Sequence, residues 1–282
     1  MKKVAIITGA DGGMGQVHTK TVALAGYEVV MACRDIEKSR KCHEKLLAET
    51  KQSISLLPLD LASFTSITAF VAEIKQRYTH IDLLLNNAGT LCHQAQTTED
   101  GIEYTVGVNY LGHYFLTHQL IGLMPSGSRI VNMVSLTLRY GKITDNLFQP
   151  IAPDHFNRFI PYSNSKLALL YFTLDAAEQW KEKGVLVNCA DPGIVSTNII
   201  RQGNAVIDKL CDIFFRPIIR KPEKGAETML YLALNQDITD TGGCYKDKKQ
   251  IQLKPELLHS QRRIWLRKKT EEMVEQILKN KK

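Results

Sequence analysis

Short apolar runs bounded by polar or turn residues recur along most of the chain. Six of them have the length and composition of buried strands, at residues 4–8, 29–33, 54–59, 81–85, 129–134 and 185–190. Helical patterns lie between them at residues 14–25, 37–50, 66–78, 101–124 and 162–183. This alternation predicts a parallel sheet with right-handed crossovers. We therefore expect an α/β fold in three layers (α/β/α), with a doubly wound, mostly parallel sheet.

Two longer segments, residues 136–161 and 194–222, interrupt the alternation. The first contains several prolines, and the second includes the apolar group 213–215. Long irregular segments next to strand ends often bind ligands, because open α/β sheets bind at the carboxyl ends of their strands. We predict that both segments contact a substrate, although ordinary surface loops would give the same pattern.

The 282 residues fit one domain over residues 1–245, followed by a basic, helical extension over residues 246–282. That extension holds 12 Lys/Arg against 5 Asp/Glu and accounts for the net charge of +7. It can fold back on its own domain, pack on a neighbouring subunit or contact an acidic membrane surface. We expect no nucleic-acid partner. Its apolar residues can form one helical stripe of Leu257, Leu258, Ile264, Trp265, Met273, Val274, Ile277 and Leu278.

The six cysteines are scattered and form no CxxC pair, which argues against a zinc site or a disulfide framework. His113 and His118 have no third ligand nearby, so we expect packing or hydrogen-bonding roles and no metal. The sequence passes from Met1 directly into the first apolar run, and no apolar run reaches roughly 18 residues. We therefore expect a cytoplasmic protein without a transmembrane segment.

A glycine-rich loop, Thr8-Gly9-Ala10-Asp11-Gly12-Gly13-Met14-Gly15, follows the first strand and opens into a helix. Gly9 permits a tight turn, Gly13 lets the backbone approach a pyrophosphate, and Gly15 lets helix and strand pack closely. The free N–H groups at the helix start would face the phosphate charge. A loop of this kind between strand and helix indicates a dinucleotide-binding site.

The TGxxxGxG spacing of this loop resembles the short-chain dehydrogenase/reductase family. The family's other motifs follow in order: Asp60, Asn86 to Gly89, Asn109, Ser135, Tyr162 with Lys166, and Pro192-Gly193. The similarity covers about residues 4–200 and extends toward Tyr245. It implies a single Rossmann-type domain that transfers hydride between a nicotinamide cofactor and a small-molecule carbonyl or alcohol. It also implies a homo-oligomer.

The resemblance assigns most cofactor contacts to loops at the strand ends. Asp60 would contact the adenine edge and Asn86 the cofactor wall, although Asp60 can equally cap a turn and the asparagines can satisfy buried backbone groups. The expected cofactor-binding residues are Thr8, Gly9, Asp11, Gly13, Met14, Gly15, Arg34, Asp60, Leu61, Asn87, Ala88, Gly89, Tyr162, Lys166, Pro192, Gly193, Val195 and Thr197.

The end of the second strand favours NADP(H) over NAD(H). An NAD-dependent enzyme usually places an acid there for the ribose 2′-hydroxyl. Here Cys33 takes that place and Arg34 follows, and a guanidinium pairs well with a 2′-phosphate. The family's other common basic position holds Gly12, and the neighbouring Asp35 can reach the ribose if the loop is shifted by one residue.

Four residues form the catalytic set that the resemblance implies: Asn109, Ser135, Tyr162 and Lys166. Tyr162 and Lys166 share one helix face, and a nearby ammonium lowers a phenol pKa toward the range useful for proton transfer. Ser135 follows a strand end, where its hydroxyl can stabilise the substrate oxygen. In the family, the residue at Asn109 bends its helix and holds a water of the proton relay.

Tyr162 follows Ser135 by 27 positions, and this long spacing, with the Ala32-Cys33-Arg34-Asp35 run, is similar to the retinol dehydrogenase branch. That branch implies lipophilic substrates such as retinoids, steroids or long-chain carbonyls, although we expect no N-terminal anchor of the kind that several members have. Asp191, directly before Pro192, is unexpected: it is either an inert turn residue or a change in how the nicotinamide seats. A catalytically silent nucleotide-binding regulator is the alternative function.

Overall fold

The computed structural model describes residues 2–195 and 220–281 and contains one eight-stranded sheet within them. The strand order is β3-β2-β1-β4-β5-β6-β7-β8, and every pair is parallel except β7 with β8. The strands are β1 (Val4–Thr8), β2 (Glu28–Cys33), β3 (Ile54–Pro58), β4 (Leu83–Asn86), β5 (Arg129–Met133), β6 (Leu186–Asp191), β7 (Cys244–Lys246) and β8 (Lys249–Gln250). The predicted α/β class and mostly parallel sheet are confirmed.

Helices cover both faces of this sheet, as nearly continuous apolar strands require. The described helices are α1 (Gly13–Leu24), α2 (Ile36–Thr50), α3 (Phe64–Arg77), α4 (Tyr104–Val106), α5 (Gly112–Leu120), α6 (Phe159–Gln179), α7 (Pro222–Leu234), α8 (Pro255–Leu258) and α9 (Gln261–Asn280). One apolar cluster joins the sheet to α3, α5 and α6, and a second joins it to α1, α2 and α7. The strand order switches sides at β1, with β2 and β3 on one side of it and β4 to β8 on the other, and ligands bind at such a switch point in folds of this kind.

The predicted helical stretch over residues 101–124 is helical from residue 104 to residue 123, but it is not one regular α-helix. A π-helical segment, Gly107–Leu111, separates α4 from α5, and a 3₁₀ turn, Ile121–Leu123, follows α5. Asn109 lies in this π-helical segment. The pattern of apolar residues does not distinguish a π-helical turn from an α-helical one. It leads into Gly112, where an added Cβ would lie only 2.3 Å from the Leu61 carbonyl oxygen.

Helix α6 begins at Phe159, before the predicted start at Tyr162. Pro161 therefore lies in its first turn and not in the preceding loop. A proline is tolerated there, because the first-turn N–H groups have no partner within the helix. The predicted loop 136–161 is otherwise irregular apart from 3₁₀ turns at Leu136–Tyr140 and Pro153–His155.

Among the helices and strands of the described residues, α7, β7 and β8 were not predicted. The two strands are short, with three and two residues, which leaves little alternation to detect. Most of the predicted substrate segment 194–222 lies outside the described residues. No helix within residues 2–195 and 220–281 is both long and apolar enough to cross a membrane.

The C-terminal helix α9 packs back on its own domain. Leu266 and Ile277 are buried in the core that includes α6. The Arg263 guanidinium pairs with Asp175 at 2.8 Å and Glu178 at 2.7 Å. The predicted apolar stripe largely faces this core, but it wrongly included Ile264, which is 44% exposed, and it missed Leu266.

Candidate active site

The glycine loop forms a narrow cradle between β1 and the start of α1. Gly9 has φ +59°, and an added Cβ there would lie 3.0 Å from the Ala88 Cα. At Gly15 an added Cβ would lie 2.2 Å from the Gly9 carbonyl oxygen. Helix α1 begins at Gly13, so its first N–H groups point into the loop. The cradle therefore suits a phosphate group, and side chains at these two glycines would close it.

Thr8 joins the carboxyl end of β1 to the loop after β4. Its Oγ1 accepts hydrogen bonds from the N–H groups of Asn87 at 3.0 Å and Ala88 at 2.9 Å, and lies 3.0 Å from His113 Nε2. The Asn87 amide donates to the Thr8 carbonyl oxygen at 2.8 Å. Burial lowers the pKa of His113 to about 3, so its ring is neutral at pH 7. Thr8 and Asn87 thus shape the floor of the cleft.

Arg34 lies at one end of a cavity of about 270 Å³. Its Nη1 donates to the Tyr104 hydroxyl at 2.9 Å. The neighbouring Asp35 is the N-cap of α2: its Oδ1 accepts from the Lys38 N–H at 3.1 Å, and its Oδ2 pairs with Lys38 Nζ at 2.8 Å. The predicted residues that line this cavity are Thr8, Gly9, Asp11, Arg34, Asp60, Leu61, Ala88 and Gly89.

Three of the predicted contact residues also have structural roles. The Asp60 Oδ1 accepts from the Ala62 N–H at 2.9 Å and caps the turn after β3. The Asp11 carboxylate accepts from the Ser39 hydroxyl at 2.9 Å. Asn86 is fully buried and donates to Asn132 Oδ1 at 2.8 Å, so it ties neighbouring strands together rather than lining the cleft.

A second cavity, also of about 270 Å³, brings Ser135, Tyr162 and Lys166 together. Ser135 follows β5, and a hydrogen bond joins its hydroxyl to that of Tyr162. The Lys166 Nζ donates to the Met133 carbonyl oxygen at 2.7 Å and lies 5.7 Å from the Tyr162 ring centroid. Three side chains from two elements therefore meet in one cleft.

Burial controls the ionisation of this group. It raises the pKa of Tyr162 above the ordinary value, while the hydrogen bond with Ser135 acts in the opposite direction. Burial lowers the pKa of Lys166 to about 8. The phenol is therefore protonated at neutral pH. The effect of burial on its pKa is larger than the lowering that the sequence pattern predicts from the neighbouring Lys166.

Asn109 links the loop after β4 to α6. Its Oδ1 accepts from the Thr90 N–H at 2.7 Å, and its Nδ2 donates to Ser165 Oγ at 3.1 Å. An added Cβ at Gly89 would lie 3.5 Å from Asn109 Oδ1 and 3.6 Å from Lys166 Nζ. The absence of a side chain at Gly89 therefore leaves open space beside both groups.

The loop after β6 forms the opposite wall of the second cavity. Pro192, Gly193 and Val195 line it, together with Met14 and Asn87 from the other loops. Gly193 has φ +73°. Thr197, the remaining predicted contact, lies outside the described residues.

Tyr104, Lys38 and Thr90 contribute to the cavities but were not predicted. For His113 a packing or hydrogen-bonding role was predicted, and its hydrogen bond with Thr8 confirms it. Lys38 and Tyr104 line the cavity of Arg34. Tyr104 is 70 residues from Arg34 in the chain, and no local motif marks it. The sequence marks His113 only by its place in the motif that also contains Asn109.

The strand order places the glycine cradle at the switch point of the sheet, next to the cleft that contains Ser135, Tyr162 and Lys166. This arrangement is typical of nicotinamide-dependent oxidoreductases. The sequence profile of the family described as short chain dehydrogenase matches residues 3–206. The chain belongs to this family and is an NAD(P)-dependent oxidoreductase that acts on CH–OH or C=O groups.

Retinol dehydrogenases are among its similar relatives. The chain is 36% identical to mouse (Mus musculus) retinol dehydrogenase 11, over 86% of this chain and 77% of that protein. It is 34% identical to human retinol dehydrogenase 14, over 93% of this chain and 84% of that protein. The predicted resemblance to the retinol dehydrogenase branch is confirmed.

Solved structures share the fold at lower identity. An uncharacterised protein from Mycobacterium paratuberculosis superposes with a TM-score of 0.77 at 23% identity, covering 97% of this chain and 93% of that one. An L-sorbose reductase from Gluconobacter frateurii, solved with NADPH and L-sorbose, gives 0.69 at 19% identity, covering 87% and 94%. These likenesses support the fold alone.

Proposed function

We propose that the protein is an NADP(H)-dependent reductase or dehydrogenase for lipophilic carbonyls and alcohols, with Tyr162 as the general acid and base. The observation that carries this proposal is the meeting of Ser135, Tyr162 and Lys166 in a cleft beside the glycine cradle. A phenol, a hydroxyl and an ammonium at one point can protonate and stabilise a carbonyl oxygen.

The cofactor site favours a 2′-phosphorylated dinucleotide. Arg34 lines the adenosine-side cavity, and both carboxylate oxygens of Asp35 already have partners on Lys38. Asp35 is therefore engaged at the helix start rather than free for a ribose hydroxyl. Arg34 and Lys38 supply positive charge where a 2′-phosphate would lie, and the glycine loop would hold the pyrophosphate.

A nicotinamide cofactor, held by the glycine loop, would supply or accept the hydride, and the side chains of the cleft bind the substrate oxygen and move its proton. Tyr162 donates its phenolic proton to the carbonyl oxygen in reduction and removes the alcohol proton in oxidation. Ser135 donates a hydrogen bond to the same oxygen as charge develops. Lys166, held by the Met133 carbonyl, favours the phenolate once the proton has left.

The lining of the second cavity supports a lipophilic substrate. Apolar side chains make up much of its lining, among them Leu91, Phe159, Ile194 and Val195. Such a surface binds an apolar carbon skeleton through burial and leaves only the reacting oxygen to polar groups. The names of the relatives make retinoids the first class to test.

The experiment has two stages. NADPH and NADH are titrated by fluorescence, and the tighter cofactor is then used with all-trans-retinal, a long-chain aldehyde, a steroid ketone and a sugar ketone. We expect tighter NADPH binding and turnover of the lipophilic carbonyls only. Turnover of the sugar alone would refute the substrate class, whereas cofactor binding without any turnover would favour a silent regulator.

A further inference from the structure

His113 lies in α5 and is fully buried, yet the reaction scheme above does not use it. Its two ring nitrogens contact groups from different parts of the active site. Nδ1 lies 3.2 Å from the Asn109 carbonyl oxygen in the π-helical segment, and Nε2 lies 3.0 Å from Thr8 Oγ1 at the end of β1. The imidazole therefore joins the helical segment that carries Asn109 to the strand that leads into the glycine loop.

The groups around the ring select one tautomer of His113. The ring is neutral at pH 7, because burial lowers its pKa to about 3, and only one of its nitrogens then carries a hydrogen. The Asn109 carbonyl oxygen can only accept, so Nδ1 must be the nitrogen that donates. Nε2 is then an acceptor, and the Thr8 hydroxyl donates to it.

The other partners of the Thr8 hydroxyl support the same assignment. Its oxygen accepts from the N–H groups of Asn87 at 3.0 Å and Ala88 at 2.9 Å, and a hydroxyl oxygen has two lone pairs. A third donor at His113 Nε2 would exceed this number. The Leu85 carbonyl oxygen competes for the hydroxyl hydrogen, but at 3.3 Å it is farther away than Nε2. The hydroxyl therefore accepts two hydrogen bonds and donates one to His113.

The loop after β4, residues 87–90, is held at both ends by groups that His113 connects. The Thr8 hydroxyl binds the two N–H groups at its start, and Asn109 Oδ1 accepts from the N–H group at its end at 2.7 Å. Gly89, between these ends, lines both cavities of the cleft. A change in the direction of the hydroxyl would therefore alter the wall on which a nicotinamide dinucleotide would lie.

We infer that His113, as the tautomer with its hydrogen on Nδ1, is a positioning residue that fixes the direction of the Thr8 hydroxyl and thereby the shape of the 87–90 loop. It acts on cofactor binding through Thr8. This role requires an acceptor at the place of Nε2, because otherwise the hydroxyl turns toward Leu85 and its lone pairs turn away from the two N–H groups. The inference goes beyond the proposed function, because it applies to either nicotinamide cofactor and to any substrate.

The first test observes the tautomer directly, by NMR of the wild type with ¹⁵N-labelled histidine at pH 7. The His113 signals are identified by their loss in His113→Gln. We expect a hydrogen on Nδ1 and a lone pair on Nε2. A hydrogen on Nε2 overturns the inference. This measurement needs neither cofactor nor substrate, so its result is independent of whether the proposed function holds.

The second test compares two variants that each keep one half of the imidazole. His113→Gln keeps an acceptor near the position of Nε2, whereas His113→Asn keeps only a donor near that of Nδ1. We expect His113→Asn to weaken binding of the tighter nicotinamide cofactor, NADPH or NADH, by about 10-fold or more in fluorescence titration, and His113→Gln to weaken it less. Equal losses in the two variants overturn the inference.

His118→Asn is the matched control for a loss of helix stability. His118 Nδ1 lies 3.0 Å from the Tyr114 carbonyl oxygen, so it makes the same contact with the residue four positions back in the same helix. Its replacement should leave cofactor affinity unchanged, and a loss equal to that of His113→Asn overturns the inference.

A coupling measurement tests whether His113 acts through Thr8. In Thr8→Val the hydroxyl is absent, so the addition of His113→Asn should cause no further loss of cofactor affinity, and independent losses overturn the inference. Should circular dichroism show that His113→Asn does not fold, the tautomer measured in the wild type decides.

Discussion

At the scale of single residues, the cleft combines groups whose chemistry depends on their burial. Lys166 is 2% exposed, and burial lowers its pKa to about 8, while burial raises that of Tyr162. Both shifts favour the neutral form, as desolvation requires. Carbonyl reduction suits this state, because the phenol still holds the proton that it must donate.

Removal of the Tyr162 hydroxyl should abolish proton transfer without unfolding the protein. We expect Tyr162→Phe to lower kcat of carbonyl reduction by about 100-fold or more, in line with the usual contribution of general acid catalysis. The ring still fills its place, so NADPH affinity should change little. Steady-state kinetics and fluorescence titration check both quantities, and near wild-type turnover would refute the role of Tyr162.

Cofactor preference should depend on Arg34. A charge-assisted hydrogen bond contributes about 1.5–3 kcal/mol, so we expect Arg34→Ala to weaken NADPH binding by about 10- to 100-fold. NADH, which lacks the 2′-phosphate, should bind as before. Fluorescence titration measures both affinities. Arg40→Ala is the matched control, because Arg40 is an exposed arginine of the adjoining helix α2 paired with Glu37. Equal losses for both cofactors would contradict the assignment.

At the scale of elements, close backbone approaches position the site. Helix α1 packs so near the β1 turn that only glycine fits at position 15, and the π-helical turn carries Asn109 to the loop after β4. Helix α6 presents Tyr162 and Lys166 one turn apart on the same face. These contacts make the cleft a property of several elements together.

Gly15→Ala tests the packing of the phosphate loop. Its Cβ would lie 2.2 Å from the Gly9 carbonyl oxygen, so the loop must shift. We expect a loss of unfolding free energy of about 1–3 kcal/mol, as overpacking usually costs, together with weaker NADPH binding. Urea denaturation and cofactor titration measure these effects. In Gly122→Ala, the control, an added Cβ meets no atom within 4 Å, and a comparable loss there would argue against the steric explanation.

At the scale of the whole molecule, the C-terminal helix is part of the folded domain. Tyr110 bonds to Thr270 at 2.7 Å across 160 residues of sequence, and the Arg263 guanidinium is partly buried against α6. The basic extension is therefore attached to the helix that carries Tyr162 and Lys166. The predicted homo-oligomer, the cytoplasmic location and membrane contact by this segment stay predictions.

Arg263 should be the main polar attachment of α9. In Arg263→Leu the Asp175 carboxylate loses its partner, and we expect the unfolding free energy to fall by about 2 kcal/mol or more. Arg263→Leu combined with Asp175→Asn should recover part of the loss, because the remaining partner of Arg263, Glu178, is exposed and solvated, so no buried charge is left unpaired. Urea denaturation of the single and double variants measures this coupling. Strictly additive losses would show that the pair is not the attachment.

The sequence alone determined the alternation of strands and helices, the glycine loop and the spacing of Tyr162 and Lys166, because each is a local pattern with a fixed period. Only the tertiary structure decided which distant groups meet. Tyr104 reaches Arg34 across 70 residues, and the π turn replaces an α-helical one. The packing of the C-terminal helix also depends on tertiary contacts. Its sequence is compatible with several packing partners, and in the structure Leu266 and Ile277 are buried against its own domain.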